Sequence, residues 1–256
     1  MMDKWALITG ASSGIGEELA KLYAKRGYCI ALAARRADRL YDLAMKLETD
    51  TRVIPCDLAD RDACYDLFEA VSDLNVELLV NCAGFGAVGR FDAIDLERQV
   101  EMTDVNCTAL MILTYLFLKD FRYRDRGAIL NVASSAGLLP GGPYMATYYA
   151  TKAYVASLTQ AVAEEFRLEG KGIYVGCLCP GPVDTEFNSV AEVQFALKGI
   201  SAEKCVKAAL SGMKKRKTVI VPTLTMKGAV TAGRLLPRKT AVRFTAKQQI
   251  KKTQQD

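Results

Sequence analysis

Tyr148 and Lys152 are the two residues of this sequence whose types and spacing most directly suggest chemistry. They stand at the start of an apolar-periodic run, Tyr148–Phe166, that predicts a long helix. Residues four apart share one face of a helix, so we expect the phenol and the amine to lie together. An ammonium favours the phenolate. Lowering a phenol pKa from about 10 to near 7 takes about 4 kcal/mol, and one cation about 4 Å away offers that as an upper bound.

The same spacing also arises where a core tyrosine and a surface lysine merely fall four residues apart. Composition favours the chemical interpretation, because none of the 256 residues is histidine. A Ser-His-Asp triad, a His-Glu-x-x-His zinc site and a histidine base are therefore excluded. Acid–base chemistry near pH 7 must use tuned Tyr, Lys, Cys or carboxylate groups.

The eight cysteines are scattered without Cys-x-x-Cys spacing. We interpret them as reduced, mostly buried thiols, and predict neither a disulfide framework nor a metal site. The first residues, Lys4–Thr9, have the pattern of a buried strand and not of a signal peptide, and no apolar run reaches membrane-spanning length. We therefore expect a cytoplasmic protein.

The formal charge of +5 is concentrated toward the C-terminus. From Lys204 onward the chain is rich in Lys and Arg, with a basic block at Lys214–Lys217 and almost no acid. The simplest interpretation is a solvated helix face and tail, and peripheral contact with an anionic membrane is the alternative. No aromatic platform accompanies the charges, which argues against a nucleic-acid partner.

Apolar strands and amphipathic helices alternate along the chain. Strands are predicted at Trp5–Thr9, Cys29–Ala34, Arg52–Cys56, Leu78–Asn81, Ala128–Ala133, Tyr174–Cys179 and Thr218–Val221. Helices are predicted at Ile15–Arg26, Arg36–Glu48, Asp60–Val71, Leu96–Phe121, Tyr148–Phe166 and from a Ser201 cap to Met213. This alternation predicts one α/β domain over residues 1–256, a Rossmann-type doubly wound parallel sheet with helices on both faces. Its core spans about 4–221, and the basic extension 225–256 has no assigned packing.

A glycine-rich turn joins the first strand to the first helix. Glycines let backbone N–H groups approach a pyrophosphate at a helix N-terminus. The spacing is G-x-x-x-G-x-G, and in this strand–loop–helix context it favours a nucleotide site over a simple turn. The residues expected to bind are Gly10, Ser12, Ser13, Gly14, Ile15 and Gly16.

Two arginines at the end of the second strand indicate which dinucleotide binds. A carboxylate about 20 residues after the loop would bind the ribose 2′-hydroxyl of NAD. The chain has Arg35 and Arg36 there, and arginine grips a 2′-phosphate with paired donors. We predict NADP(H) in preference to NAD(H), with Arg35 as the leading contact and Ser13 or Arg36 as secondary ones. The alternative is that these arginines only begin a solvated helix, and Asp38 lies close by.

Further motifs follow the loop in a specific order. They are TGASSGIG at 9–16, Asp57, NCAG at 81–84, Asn106, SSAG at 134–137, Tyr148 with Lys152, and PGPVDT at 180–185. Together they resemble the classical short-chain dehydrogenase/reductase family over about Lys4–Val221. The YYATKAYV run and the basic extension are more similar to a bacterial subgroup of reductases than to the ketoreductases of fatty-acid synthesis.

The resemblance implies catalytic roles for four residues. Tyr148 would exchange the proton on the substrate oxygen, and Lys152 would lower its pKa and bind the nicotinamide ribose. Ser135 would hydrogen-bond the substrate oxygen, with Ser134 the less favoured partner. Asn106 would hold a water between Lys152 and solvent; its alternative role is to satisfy a helix kink.

The resemblance also implies the remaining cofactor contacts. Asp57 and Leu58 would face the adenine, while Asn81, Ala83 and Gly84 would line the adenosine side of the cleft. Family members often carry a second asparagine where this chain has Cys82. Near the nicotinamide the expected contacts are Pro180, Gly181, Val183 and Thr185.

The reaction implied is hydride transfer between NADP(H) and a carbonyl or alcohol carbon, with carbonyl reduction as the expected direction. An apolar substrate is expected, with the segment after Thr185 acting as a lid. The candidate pocket residues are Leu138, Leu139, Pro140, Tyr144, Met145, Phe187, Val190, Val193 and Phe195. The alternatives are a non-catalytic NADP(H)-sensing regulator and a sugar-nucleotide epimerase or dehydratase. The helices Leu96–Phe121 and Tyr148–Phe166 favour a homodimer or homotetramer.

Overall fold

Continuous apolar stretches form the strands of a central parallel sheet. The computed structural model describes residues 3–191 and 199–253. Its strands are β1 Trp5–Thr9, β2 Cys29–Ala34, β3 Thr51–Pro55, β4 Val76–Asn81, β5 Ala128–Val132, β6 Tyr174–Leu178, β7 Val183–Asp184, β8 Ile200–Ser201 and β9 Val219–Ile220. Across the described residues, seven of them form one sheet in the order β3-β2-β1-β4-β5-β6-β9, and β7 pairs with β8. All of these neighbours run parallel, so the predicted Rossmann-type fold is confirmed.

Helices cover both faces of this sheet. They are α1 Gly14–Ala24, α2 Ala37–Ala44, α3 Arg61–Glu69, α4 Leu96–Thr103, α5 Leu110–Arg124, α6 Ala146–Leu168, α7 Phe187–Val190, α8 Ala202–Lys214, α9 Leu224–Leu235 and α10 Arg238–Thr253. Ser201 caps α8 as predicted, because its side chain accepts a hydrogen bond from the N–H of Lys204 (3.2 Å).

Alternate side chains of each strand enter two separate cores. In β1, Ala6 and Ile8 pack with α1 and α8 on one face, whereas Leu7 packs with α3 and α5 on the other. This alternation follows from the two-residue period of a strand. Both faces are apolar because both are covered, which explains why the strands read as unbroken hydrophobic runs.

The predicted helix Leu96–Phe121 is interrupted. A π-helical segment, Asp104–Ala109, joins α4 to α5, and α5 continues to Arg124. The apolar pattern did not indicate the interruption, since inserting one residue into a turn leaves the hydrophobic spacing on either side almost unchanged. Such segments are frequent at functional sites, and this one carries Asn106.

The C-terminal residues that the sequence left unplaced form α9 and α10. Thr223 caps α9 by accepting from the N–H of Met226 (3.2 Å), and Pro237 separates the two helices. Val230 of α9 and Ala241 of α10 are buried. These two helices lie over the carboxyl ends of the central strands and form one wall of the cleft described next.

Candidate active site

A cleft of about 820 Å³ opens at the carboxyl ends of the central strands. Its walls come from the loops that follow β1 to β6, together with the first turns of α6 and the helices α9 and α10. The strand order reverses between β1 and β4. Open α/β sheets bind ligands at such a switch point.

The glycine-rich loop after β1 is held tightly against neighbouring loops. Gly10 and Gly14 have φ of +64° and +58°, a region that glycine enters without strain. A Cβ on Gly10 would lie 2.8 Å from Cα of Ala83, and one on Gly14 would lie 3.0 Å from Cγ2 of Thr185. Gly16 does not line the cleft; a Cβ there would meet the carbonyl oxygen of Gly10 at 2.2 Å. Gly16 therefore packs α1 against the loop.

The N-terminus of α1 faces the cleft. Ser13 occupies the N-cap position, yet its side chain makes no capping hydrogen bond. Ser12, Ser13 and Ile15 all line the cleft. The uncapped N–H groups and the helix dipole together favour an anion at this position.

Arg36 closes the outer end of the cleft. Its Nη2 donates to Oγ of Ser12 (3.0 Å), and its Nη1 donates to Oε2 of Glu186 (3.0 Å). Arg39 also donates to Glu186. The guanidinium groups of Arg36 and Arg39 hold the pKa of the Glu186 carboxyl below its usual range, with the hydrogen bond from Arg39 as the largest cause.

Arg35 lines the same end but points toward other carboxylates. Its Nη1 donates to Oε1 of Glu101 (2.9 Å) and lies 4.0 Å from Oδ2 of Asp57. Asp57 and the buried Leu58 also line this end. The sequence predicted Arg35 as the leading contact, whereas Arg36 is the arginine that bonds to the glycine-rich loop.

Tyr148 is buried in the first turns of α6, with 9% of its surface exposed. Burial raises the pKa of its phenol to about 12, and hydrogen bonding with the hydroxyl of Ser134 partly offsets that rise. Its ring packs against Phe187 at 5.4 Å between centroids. The phenol is therefore neutral at pH 7 and available as a proton donor.

Lys152 is buried one helical turn beyond Tyr148. Its Nζ donates to the carbonyl of Val132 (2.9 Å) and lies 5.9 Å from the centroid of the Tyr148 ring. Burial lowers the pKa of this amine. The shared face predicted from the spacing is confirmed, but the structure has a raised and not a lowered Tyr148 pKa. Desolvation of the phenol outweighs an amine that is itself desolvated.

Two adjacent serines follow β5 at the cleft wall. Ser134 begins the 3₁₀ turn Ser135–Leu138 and accepts from the N–H of Ala136 (3.1 Å). Hydrogen bonding with its hydroxyl lowers the pKa of the Tyr148 phenol. Ser135 is buried and donates its backbone N–H to the carbonyl of Pro180 (2.8 Å). The resemblance favoured Ser135 for the substrate oxygen, whereas Ser134 is the serine whose hydroxyl interacts with the Tyr148 phenol.

Asn106 ties the π-helical segment to the loop after β4. Its Oδ1 accepts from the N–H of Phe85 (3.1 Å), and its Nδ2 donates to the Phe85 carbonyl and to Oγ1 of Thr151 (both 3.0 Å). A Cβ on Gly84 would lie 2.7 Å from this Oδ1 and 3.3 Å from Nζ of Lys152. Because Gly84 has no side chain, Asn106 and Lys152 can both approach this loop closely.

Comparison with known proteins agrees with this geometry. Residues 4–196 match the sequence model of the family described as short chain dehydrogenase. This chain belongs to the short-chain dehydrogenase/reductase family. Among solved structures, a short-chain dehydrogenase from Sphingobium yanoikuyae in complex with NADPH is 31% identical, with a TM-score of 0.82 over 90% of this chain and 93% of that one.

Two curated relatives show the range of named activities. The very-long-chain 3-oxoacyl-CoA reductase of Rattus norvegicus is 31% identical over 247 residues, which is 93% of this chain and 77% of the relative. The 7beta-hydroxysteroid dehydrogenase of Clostridium sardiniense is 34% identical over 166 residues. That match spans 63% of this chain and 63% of the relative, less than two thirds of its length.

Asn81 of this short-chain dehydrogenase does not line the cleft, contrary to the role that the resemblance implied. Its Nδ2 donates to Oγ1 of Thr114 (3.1 Å) and to Oδ1 of Asn131 (2.9 Å). Asn131 in turn donates to Oγ1 of Thr159 (3.0 Å). As the last residue of β4, Asn81 turns its side chain toward α5, so it joins β4 and β5 to the helical layer. The next residues, Cys82 to Gly84, do reach the cleft.

The cleft is also lined by Pro180, Gly181, Val183 and Thr185, the residues that the resemblance implied as nicotinamide contacts. A Cβ on Gly181 would lie 2.7 Å from Cε of Met226. The glycine therefore permits α9 to pack directly against this loop. The short-chain dehydrogenase core and its C-terminal helices meet at this contact.

Three of the residues predicted for the substrate pocket reach the cleft. Leu139, Met145 and Phe187 line the cleft, whereas Leu138, Pro140 and Tyr144 do not. The side chain of Val190, together with Val193 and Phe195, lies outside the described part of the chain.

The C-terminal wall of the cleft was not predicted from the sequence. This wall contains Met226, Ala229, Ala232, Gly233, Leu236, Ala241, Phe244, Thr245, Gln248 and Gln249. Tyr149 was not predicted either, and its hydroxyl accepts from Nε2 of Gln249 (2.7 Å). The double tyrosine at 148–149 was the available signal; for Gln249 there was none, because its partner lies 100 residues away.

Proposed function

We propose that this short-chain dehydrogenase is an NADP(H)-dependent oxidoreductase. It reduces the carbonyl of an apolar ketone or aldehyde, or oxidises the matching alcohol, with Tyr148 as the acid–base. One observation carries the proposal: the phenol of Tyr148, the hydroxyl of Ser134 and the amine of Lys152 converge in one buried corner of the cleft.

The cleft suits a dinucleotide. Gly10 and Gly14 keep backbone close to the α1 N-terminus, where N–H groups would hold the pyrophosphate. Leu58 and Asp57 would flank the adenine, and Lys152 would bind the nicotinamide ribose. When bound, the nicotinamide supplies or accepts the hydride.

The phosphorylated dinucleotide is proposed on the basis of Arg36. Its guanidinium lies at the adenosine end, bonded to Ser12 and Glu186. A 2′-phosphate would replace the Glu186 carboxylate as a partner of Arg36, with the hydroxyl of Ser13 nearby. The NADPH complex of the Sphingobium relative supports this choice.

In the proposed reduction, Tyr148 donates its proton to the carbonyl oxygen. With a pKa of about 12, the phenol carries that proton at neutral pH. The hydroxyl of Ser134 orients the oxygen, and Lys152 lies behind the ring, where its charge stabilises the phenolate that remains. Asn106 positions Lys152 by fixing the loop at Phe85.

The substrate is proposed to be bulky and apolar. Leu139, Met145 and Phe187 face Met226 and Phe244 across the cleft. The names of the relatives point the same way, since they act on hydroxysteroids and very-long-chain 3-oxoacyl thioesters. The eight cysteines, all within the described residues, are free thiols, which supports a cytoplasmic location.

An NADPH-oxidation screen tests the proposal. Ketones, aldehydes, diketones and 3-oxoacyl thioesters are offered to the wild type and to Tyr148→Phe. We expect turnover of a bulky ketone, and a loss of about 10²–10⁴-fold in the variant because the proton donor is gone. NADPH binding, followed by fluorescence, is retained. Near-normal turnover in Tyr148→Phe removes the phenol from the mechanism, and NADPH binding without turnover of any carbonyl favours a regulator.

A further inference from the structure

A buried amide lies in the C-terminal wall of the cleft. Gln249, on α10, is 3% exposed. Its Nε2 donates to the Tyr149 hydroxyl (2.7 Å), while its Oε1 has no hydrogen-bond partner among the described residues. Such an oxygen is destabilising, because it has lost its water and gained no hydrogen bond in return. Both residues line the cleft, and a ligand that enters beside them can supply the missing bond once the amide turns toward it.

Tyr149 is held rigidly in this position. A Cβ on Gly142 would lie 2.3 Å from Cε2 of its ring, so the ring rests directly on the glycine backbone. Its centroid is 6.4 Å from that of Tyr148, the next residue on α6. Burial raises the pKa of the Tyr149 phenol, which stays a neutral donor. The proposed catalytic phenol and the polar pair are thus fixed relative to each other.

The surroundings select a neutral ligand. Around the pair the cleft is lined by Met145, Ala241, Phe244 and Thr245. The charged side chains among the described lining residues are Arg35, Arg36, Asp57, Lys152 and Glu186, and they belong to the cofactor side. An ionised ligand group would therefore be desolvated without a counter-charge, which is costly.

We infer that Tyr149 and Gln249 form a subsite for a hydroxyl group of the substrate, remote from the reacting carbonyl. The hydroxyl oxygen accepts from the Tyr149 phenol, and its proton is donated to Oε1 of Gln249. If the amide is turned over, the Tyr149 phenol donates to Oε1 and Nε2 donates to the ligand. A hydroxyl group fits both orientations, because it is donor and acceptor at once.

This inference rests on the proposed function and narrows its substrate class. The substrate is an apolar ketone that carries a second oxygen, as a hydroxyl, on the part of its skeleton that extends toward α10. A site built to bond a hydroxyl discriminates strongly against the analogue that lacks it, because its own polar groups are then left unpaired.

Matched ketones test the subsite. Two bulky ketones of the same carbon skeleton, one with a remote hydroxyl and one without, are compared by kcat/KM with NADPH. Variants Gln249→Met and Tyr149→Phe are compared with Lys247→Met, at an exposed residue of the same helix that does not line the cleft. Retained thermal unfolding and NADPH binding confirm that each variant is folded.

We expect the wild type to prefer the hydroxylated ketone by about tenfold or more, the equivalent of one good hydrogen bond. Gln249→Met and Tyr149→Phe should abolish the preference through KM, with the plain ketone unaffected, and Lys247→Met should keep it. Equal treatment of both ketones by the wild type, or equal losses on both in Gln249→Met, overturns the subsite.

Calorimetric Kd values for the two ketones, measured with NADPH present, repeat the comparison without turnover. Binding selectivity without reduction would count against the proposed function and leave the subsite standing. Reduction without selectivity would do the reverse.

Discussion

The environment of Tyr148 favours the neutral form of its phenol, so the role proposed for this residue starts from a proton donor. Its burial in the α6 turns stabilises the neutral phenol, and the Ser134 hydroxyl recovers only part of the stability of the phenolate. The spacing alone predicted that Lys152 lowers the pKa of the phenol to near 7. Spacing predicts which residues share a helix face, but desolvation depends on α7 and the cleft wall, which cover the ring.

We predict that the free protein shows no ionisation of Tyr148 between pH 6 and 9. A pKa of about 12 lies above this window, so the protonated form dominates throughout it. Phenolate absorbance of the wild type minus that of Tyr148→Phe measures this directly, and the difference should stay flat. A one-tyrosine step near pH 7 would show that the Lys152 ammonium outweighs burial.

Variants of Ser134 and Ser135 test which of the two hydroxyls orients the substrate oxygen in the proposed reaction. Because Ser134 is the residue that acts on the Tyr148 phenol, Ser134→Ala should lower kcat by about 10–100-fold, as expected for the loss of one or two good hydrogen bonds. Ser135→Ala, which keeps the backbone bond to Pro180, should cost less than threefold. Steady-state kinetics with saturating NADPH decide between them, and the reverse order would restore the role predicted for Ser135.

Each of these serines lies in the SSAG motif, so the motif could be found without the structure. Which hydroxyl faces the phenol depends on the 3₁₀ turn Ser135–Leu138, whose first N–H groups bond to Ser134. A turn of this length leaves no periodic signal in the sequence.

At the scale of elements, the junction of β2 and α2 joins the glycine-rich loop to the segment after β7. Arg36 bonds to Ser12 on one side and to Glu186 on the other. The two arginines after β2 were visible in the sequence. The different partners of the two arginines could not be predicted. Glu101, which pairs with Arg35, comes from α4, and Glu186, which pairs with Arg36, comes from the turn before α7.

We predict that Arg36→Gln lowers kcat/KM for NADPH by about 10–100-fold, since charge-assisted bonds to the 2′-phosphate are lost. The kcat/KM for NADH should be unchanged. Arg39→Gln is the matched control: it removes a second cation from Glu186 but lies outside the cleft lining, so the cofactor ratio should persist. A wild type that prefers NADH contradicts the prediction.

Strands were easier to predict than helix ends. The bounds of β1 and β2 agree with the sequence prediction because buried strands are unbroken apolar runs. Helix α2 ends at Ala44, four residues before the predicted Glu48, because the N–H groups of Lys46 and Leu47 bond to carbonyls three residues back. That tighter turn ends the helix while the residue pattern continues.

At the scale of the whole molecule, large apolar side chains remain exposed on α4, α5 and α6. Val100, Met111, Tyr115 and Tyr154 are between 39% and 60% exposed, and Tyr154 donates to the sulfur of Met111 (3.1 Å). No helix among the described residues is long and apolar enough to cross a bilayer. Exposed apolar side chains grouped on neighbouring helices are typical of a subunit interface.

We predict a dimer, or a multiple of it, held through these helices. Light scattering should give at least twice the 28.0 kDa of one chain. The double variant Met111→Lys with Tyr115→Lys should shift the mass toward one chain, because it places charge in an apolar interface. Tyr41→Lys, at a tyrosine 57% exposed on α2, should leave the assembly intact. A monomeric wild type would show that the surface serves another purpose.

The overall order of strands and helices followed from the sequence, but the closure of the cleft did not. The residues of α9 and α10 have few periodic apolar positions. Their inward side chains are placed by contacts with distant residues, namely Tyr149, Gly181 and Leu139. Long-range contacts of this kind leave no local pattern.

The position of α9 and α10 also means that the proposed cofactor contacts and the proposed substrate contacts lie in different parts of the chain. The loops proposed to hold the dinucleotide end by Thr185, whereas the wall facing Tyr149 begins after Thr223. Transplanting the last thirty or so residues between related reductases would therefore exchange the compound they choose while the shared hydride chemistry stays in place. In such a chimera, the packing contact between Gly181 and Met226 must be preserved, because it joins the two exchanged parts.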